Sequence, residues 1–501
     1  MLINWGLDYF ELRNGRRTPV SLATARAING HVLIVGASGV GKSWTIRSMT
    51  TQAAKSNPNI RIHVMDVHGD LNIPGASMVK FSEASEAGIN PFIVNPDVEY
   101  GGVRRCINTF IRVVEQATGS LGVQQVNIIR DLLTDVYHNF GFDIKDSSTW
   151  SLNAYESRLI SGGADNRLYL EVPLPEKDEA KALGARWDGD KRLWWIHTHK
   201  YEGGLKKWRP AYKARTYPTL TDLIEYTESV YRQRFLGSDQ KGIKALETVN
   251  KLAQALQKKM LQQARDETYS GTTAEMTEEF EQAKEKLKDA FNTYVDNIRT
   301  GKELDGLLKY RSPDTLQSAL VRMKNLDATG VFKPHEPNFD RNAPIWRYHM
   351  KALLSAEEKK MLVLFKLQEI FNRAVQRGEQ DDVVEVIVLD ELGTYTSSAD
   401  KDGGDGIIGV IAREARKFGL ALWAATQTLS NIPEDLMTSV ATKVVLGIDE
   451  KFWPGAVTSL NIEKKLLSWI QPQVTIGVQM KEKRALKNRW WWVQLEEQKT
   501  G

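Results

Sequence analysis

The feature that most limits what this chain can fold into is an apolar run at residues 31–35 (HVLIV). It leads straight into Gly36-Ala37-Ser38-Gly39-Val40-Gly41-Lys42-Ser43, and Trp44 then begins a helix-like stretch, WTIRSMTTQAAK. Strand, glycine-rich turn and helix form the frame of a phosphate loop: the glycines let backbone N–H groups turn inward around an anion, and the helix N-terminus adds a favourable dipole. All four fixed positions of the pattern G-x-x-x-x-G-K-[ST] are filled. In this pattern Lys42 reaches the β and γ phosphates of a nucleotide such as ATP, Ser43 is a ligand for Mg²⁺, and residues 36–44 line the phosphates.

A second apolar run at residues 61–67 (RIHVMDV) closes a βαβ unit, and three more follow at residues 383–389 (VVEVIVL), 420–426 (LALWAAT) and 442–448 (TKVVLGI). Apolar on both faces, they read as buried strands of a largely parallel sheet, so the fold class is α/β. Before the third run, Ser355 and Glu358 have capping-box spacing, and Leu364, Leu367, Phe371 and Ala374 mark one face of a helix that stops at Gly378.

Roughly 300 residues separate the second and third runs, far more than a connection needs. The expected order is therefore a core (1–100), a helical insertion (101–164), a small α+β module (165–202), a second helical insertion (203–330) and the rest of the core (331–501). In the second insertion, Met276, Phe280, Ala283, Leu287, Ala290, Tyr294 and Ile298 make a narrow seam, to which Ile243, Leu246, Val249, Leu252, Leu256 and Met260 offer a partner. This predicts a helical hairpin packed on itself in preference to an intersubunit coiled coil. The stretch at residues 396–405 (TSSADKDGGD) reads as a mobile loop.

The run VIVLDE carries Asp390 and Glu391 to the C-terminal edge of its strand, where parallel sheets place ligands. Asp390 suits Mg²⁺ and Glu391 suits a base that polarises the attacking water. Gln427 follows the next strand, and Arg413 and Arg416 precede it. On spacing alone, a strand cap and a solvated basic helix explain these three residues better than catalysis does. Asp66, His68 and Asp70 in MDVHGD fit either a structural turn or a catalytic role.

The combination of HVLIVGASGVGKS, MDVHGDL, INPF, VIVLDELG, REARKFGLALWAATQ and TKVVLGI resembles the HerA/FtsK superfamily of motor ATPases, closest to the HerA-like branch of conjugation and type IV secretion. The resemblance implies a RecA-like core that assembles as a homo-hexamer and hydrolyses ATP at subunit boundaries to move DNA. It also implies that Arg416 is a finger supplied to the neighbouring subunit and Gln427 a γ-phosphate sensor. The expected setting is a mobile element, a conjugation apparatus or an antiviral defence system. The alternatives are a secretion ATPase that powers protein export and a nucleotide-gated ring that regulates a protein partner.

Residues 165–202 resemble a small domain of unknown function found in mobile-element proteins, through KDEAKALGARWD and KRLWW. Its interleaved Lys181, Arg186, Trp187, Lys191, Arg192, Trp194 and Trp195 suit either single-stranded nucleic acid or the module's own core, and core packing is the preferred reading. The basic stretch before Trp490, Trp491 and Trp492 reads as a hairpin edge or a DNA contact. His197 and His199 lack the companions of a metal site.

Composition narrows the setting. The net charge is only +4, and Cys106 is the sole cysteine, which excludes an intrachain disulfide or cysteine zinc site. No apolar stretch approaches a membrane span. A cytoplasmic chain is expected, with any membrane docking made through a partner.

Overall fold

The computed structural model describes residues 1–152, 157–159, 167–189, 191–233, 240–267, 274–298, 310, 312–396, 406–429, 432–485 and 488–495. The side chains at 157–159, 240, 263, 265–267, 274–277 and 279–280 lie outside this description. The chain divides into two compact units: Met1–Pro91, Arg112–Ser120 and Thr329–Gly501 form the first, and Phe92–Ile111 and Leu121–Ala328 the second.

The first unit is built on one sheet. In spatial order its strands are Pro19–Ala23, Leu2–Asp8, Arg489–Gln494, Thr475–Met480, Thr442–Gly447, Val32–Gly36, Leu420–Thr426, Glu385–Leu389, Arg61–Asp66, Ile345–His349 and Ser77–Lys80. The last seven of these run parallel to one another; five are the strands that apolar composition predicts, and Ile345–His349 and Ser77–Lys80 join them at the edge. The remaining four are an antiparallel extension. Arg489–Gln494 is therefore an interior strand rather than a hairpin edge: Val493 is fully buried, and Trp492 nearly so. The helix Ala356–Arg377 begins with the expected Ser355–Glu358 capping box and ends at Gly378, whose φ of 83° suits glycine.

A buried polar network ties this sheet together. His63 on Arg61–Asp66 lies 3.1 Å from the Tyr348 hydroxyl through Nδ1 and 2.9 Å from Glu385 Oε1 through Nε2, and Glu385 also accepts from Arg377 at 2.7 Å. Burial lowers the His63 pKa, so His63 acts here as a neutral hydrogen-bond donor to Glu385, and Arg377 supplies the positive charge. Burial by itself would raise the Glu385 carboxyl, but its His63 and Arg377 partners hold it below its ordinary 4.5. A carboxyl depressed in the folded state stabilises fully above its unfolded value, and that contribution fades as pH falls below 4.5. A histidine depressed in the same way adds a loss that begins below 6.5. Glu385→Ala is expected to cost about 3 kcal/mol, because it strands the His63 N–H and the Arg377 guanidinium. The check is the urea midpoint of both proteins at pH 7 and pH 4, where the wild type should lose more of its stability on acidification than the variant does.

In the second unit the helices Val123–Asn139, Leu220–Tyr231 and Pro313–Asp327 pack together, and the hydroxyls of Tyr226 and Tyr310 both donate to Asp135. Gln240–Glu267 and Ala274–Asp296 lie against each other as a hairpin. Val249, Leu252, Leu256, Ala283, Leu287, Ala290 and Tyr294 are half-buried along it, while Met260 and Ile298 are exposed. The side chains of Met276 and Phe280 fall outside the described set, as do residues 397–405 of the expected loop at 396–405, whose first residue, Thr396, is buried.

The small module is a three-stranded sheet in the order Arg167–Leu170, Leu193–His197, Arg186–Asp188. One face packs Leu168, Leu170, Ile196 and Trp194 against Ala180, Leu205 and Trp208, so its core runs past the expected boundary at 202. On the other face Trp195, 7% exposed, clusters with Tyr169 and Ala211. The two central tryptophans thus divide between the faces, as alternation along a strand requires. Among the described residues, no helix is long and apolar enough to cross a membrane.

Candidate active site

The glycine-rich turn leaves the end of Val32–Gly36 and enters the helix Lys42–Ser56. Gly39 and Gly41 have φ of 79° and 107°, a backbone region that other residues adopt only with strain. No side chain caps this helix, so its first-turn N–H groups remain available to an anion. Lys42 Nζ folds back onto the carbonyls of Gly36 and Ala37 at 2.9 and 3.0 Å. Burial lowers its pKa, while the nearby Glu391 and Asp390 act in the opposite direction.

Strand order explains how distant residues reach this loop. Leu420–Thr426 lies between Val32–Gly36 and Glu385–Leu389, so Gln427 sits between the loop and the acid pair. The Gln427 side-chain N–H donates to Glu391 Oε2 at 3.0 Å. Asp390 is 4% exposed, and its Oδ2 has no hydrogen-bond partner among the described residues. Burial first, then Asp66, Asp70 and Glu391, push its pKa up to about 7, against the pull of Lys42.

Ligand oxygens of Asp66, Asp70 and Asp390 lie within 4.8 Å of one another, and Ser43 Oγ is 3.5 Å from Asp70. A buried, orphaned carboxylate oxygen among like charges suits a divalent cation. Asp66 is already engaged: its Oδ1 accepts from Gly69 N–H at 2.7 Å, and its Oδ2 pairs with Arg347 at 2.6 Å. It anchors the turn, which leaves Asp70 beside Asp390 and Ser43 as the acid freest to take a metal. Among the described residues, His68 has no partner that would give it a catalytic place.

Two features of this site, Gln473 and Tyr395, have no motif to signal them, and a third, Asp70, lies in the MDVHGD stretch that fits either a turn or a catalytic role. Asp70 joins the acid cluster only because the turn after Arg61–Asp66 folds toward Ser43. Gln473, held at a φ of 65°, donates to the Gly39 carbonyl at 3.0 Å from a loop more than 400 residues away. Tyr395 is 1% exposed, its hydroxyl has no partner among the described residues, and its pKa is raised by burial and then by Asp390, Asp66 and Glu391.

Arg416 and Arg413 behave differently from each other. Arg413 pairs with Asp435, whereas Arg416 is exposed and lies just before Leu420–Thr426, at the strand end opposite Gln427. A seven-residue strand at about 3.3 Å per residue separates those ends by roughly 20 Å. Trp44 opens the helix after Ser43 and is 39% exposed.

Residues 10–97 match the family model "Helicase HerA, central domain", and residues 167–210 match "Domain of unknown function (DUF5710)". HerA of Pyrococcus furiosus, a DNA double-strand break repair helicase, is 24% identical over 149 residues, 26% of this chain and 27% of that protein. The DNA primase TraC of Escherichia coli is 50% identical over 42 residues, 8% of this chain and 4% of the primase. The chain thus spans only a small part of these curated relatives. Among solved structures, VirB4 of Thermoanaerobacter pseudethanolicus aligns over 99% of this chain and 96% of its own, with a TM-score of 0.57 at 13% identity, a likeness of fold.

The first unit is therefore a RecA-like P-loop fold. Within it, residues 10–97 are similar to the central domain of HerA, and the fold is like that of VirB4.

Proposed function

We propose that the chain is an ATPase that assembles as a homo-hexameric ring and uses hydrolysis to translocate DNA. The observation that carries this reading is the set of groups on neighbouring strand ends: Lys42 in the loop, Asp390 and Glu391, and Gln427 bonded to Glu391. That set matches the needs of phosphoryl transfer, which are charge neutralisation, an oriented water and a group that responds to the γ-phosphate.

Residues 36–44 cradle the phosphates, and Lys42 exchanges its two loop carbonyls for phosphate oxygens. Ser43, Asp390 and Asp70 hold Mg²⁺, which when bound neutralises phosphate charge. Glu391 orients the attacking water, and Gln427 couples the position of Glu391 to the presence of a γ-phosphate. The matched HerA segment supports DNA as the polymer, and the resemblance of the motifs to the branch of conjugation and type IV secretion supports a mobile-element setting.

The test is ATP turnover with no DNA, single-stranded DNA and duplex DNA, paired with mass measurement of the assembly. Stimulation of several-fold by DNA, together with a hexameric mass, is the expected result. An ATPase indifferent to DNA would favour a protein-export motor, and a ring with negligible turnover would favour a nucleotide-gated scaffold.

Glu391→Gln keeps the side-chain shape and removes the base. It should bind ATP with unchanged affinity, hydrolyse it at least about a hundredfold more slowly and accumulate in the ATP-bound assembly. Equilibrium binding and single-turnover hydrolysis measure the two effects separately. A loss of affinity instead would make Glu391 a ligand rather than the base.

A further inference from the structure

The tip of the Arg186–His197 hairpin has no part in nucleotide chemistry, and its surface calls for a ligand of its own. From Lys181 to Arg209 the chain carries eight Lys or Arg against three Asp or Glu. Three of the module's acids are engaged internally: Asp188 accepts from the Tyr169 hydroxyl at 2.6 Å, and Glu176 and Glu179 pair with Lys207. Arg186 and Arg192 are exposed, with no ion-pair partner among the described residues. The Arg186 guanidinium is steadied 5.7 Å from the Trp195 ring centre, so it is held on the module's surface rather than swinging freely.

Beside these cations stands Trp187 on the edge strand Arg186–Asp188. It is 53% exposed and meets Trp194 edge-on at 5.6 Å. Its neighbours Trp194 and Trp195 contribute to the module's own packing, so Trp187 is the ring left available to a ligand. An exposed indole offers little to an acidic protein surface, but it is a platform on which an unpaired base can stack, while adjacent guanidinium groups meet phosphates. Bases inside a duplex cannot reach such a platform.

We propose that the Arg186-Trp187 edge and the Arg192 tip of this module bind a single-stranded nucleic acid, with Trp187 stacking on a base and Arg186 and Arg192 contacting the phosphodiester backbone. This site does not depend on ATP hydrolysis.

The experiment uses the whole 501-residue chain with fluorescein-labelled dT20, rU20 and a 20-base-pair duplex, and reads anisotropy at several salt concentrations. Trp187→Ala should weaken dT20 binding about tenfold, leave its salt dependence unchanged and leave duplex binding unaffected, with Trp187→Phe restoring most of the loss. Arg186→Glu with Arg192→Glu should weaken binding at least tenfold and reduce the slope of log affinity against log salt by about 1.4. The same charge reversals at Lys286 and Lys288 on the helical hairpin should change little, and the ratio of dT20 to rU20 reports which sugar is preferred.

Lys42→Ala should bind dT20 as the parent does. If that holds while DNA fails to stimulate turnover, the motor reading falls and the module's site stands. Correctly folded module variants, with an unchanged thermal midpoint, that bind dT20 as tightly as the parent would overturn the proposal. So would a Trp187→Ala loss of equal size on the duplex.

Discussion

Lys42→Ala is expected to abolish ATP turnover, by a factor of about 10³ or more, while leaving the thermal midpoint within a few degrees of the parent. The catalytic loss follows from charge. The γ-phosphate leaves with negative charge spread over its oxygens, and a fixed ammonium in a partly desolvated site contributes several kcal/mol to stabilising it. The half-buried position of Lys42, and the lowering of its pKa by burial, show that this cation already stands outside bulk water.

The small effect on folding follows from where Lys42 spends its hydrogen bonds without nucleotide. Both go to carbonyls of its own loop, and the aliphatic core beneath is made by Val32, Ile34, Ile46 and Met49. Phosphate release and a thermal melt on the same preparation measure the two effects. Turnover at the parental rate in a folded Lys42→Ala protein would end the assignment of the loop as the active site.

Five of the seven parallel strands are legible in the sequence because each of them is apolar on both faces. Leu420–Thr426 was expected with the same limits, and the helix from Ser355 to Gly378 announces both its caps. The strand Ile345–His349 escapes this logic. It carries Trp346, Arg347, Tyr348 and His349, residues that look like surface until Arg347 is seen paired with buried Asp66 and Tyr348 bonded to His63.

The antiparallel extension escapes for another reason. Leu2–Asp8 pairs with Arg489–Gln494, and no local pattern reports a partner almost 490 positions away. The site divides along the same line. The loop, the Asp390–Glu391 pair and the MDVHGD stretch with Asp70 are contiguous motifs, whereas Tyr395 and Gln473 enter through chain reversals that only tertiary packing decides. At Arg413 and Arg416 the two arginines look alike in sequence, and what separates them is Asp435, which engages the first and not the second.

That difference makes Arg416 the arginine to test, and the expected result is a protein that binds ATP normally and hydrolyses it about 10³-fold more slowly. With Arg416 roughly 20 Å of strand away from its own chain's Gln427, it serves a phosphate loop only if that loop belongs to another copy. Parental activity should therefore rise steeply with protein concentration as boundaries form, because a positioned arginine is worth several kcal/mol of barrier.

A mixing experiment tests the same point without relying on concentration. Arg416→Ala and Glu391→Gln proteins are each inactive alone, but a boundary that takes its site from the first and its arginine from the second has an intact Glu391 facing an intact Arg416. Mixed rings should recover a measurable fraction of parental turnover. If mixed rings form, as seen by mass, and no activity returns, then Arg416 acts within its own chain or one defective boundary silences the whole ring. Rings of parental protein doped with a small share of Arg416→Ala separate these. A loss proportional to the share implicates single boundaries, and a much steeper loss implicates a ring that fires only when every boundary is complete. A proportional loss combined with failed complementation would remove Arg416 from the neighbouring site, because independent boundaries that could be rescued in trans would have been.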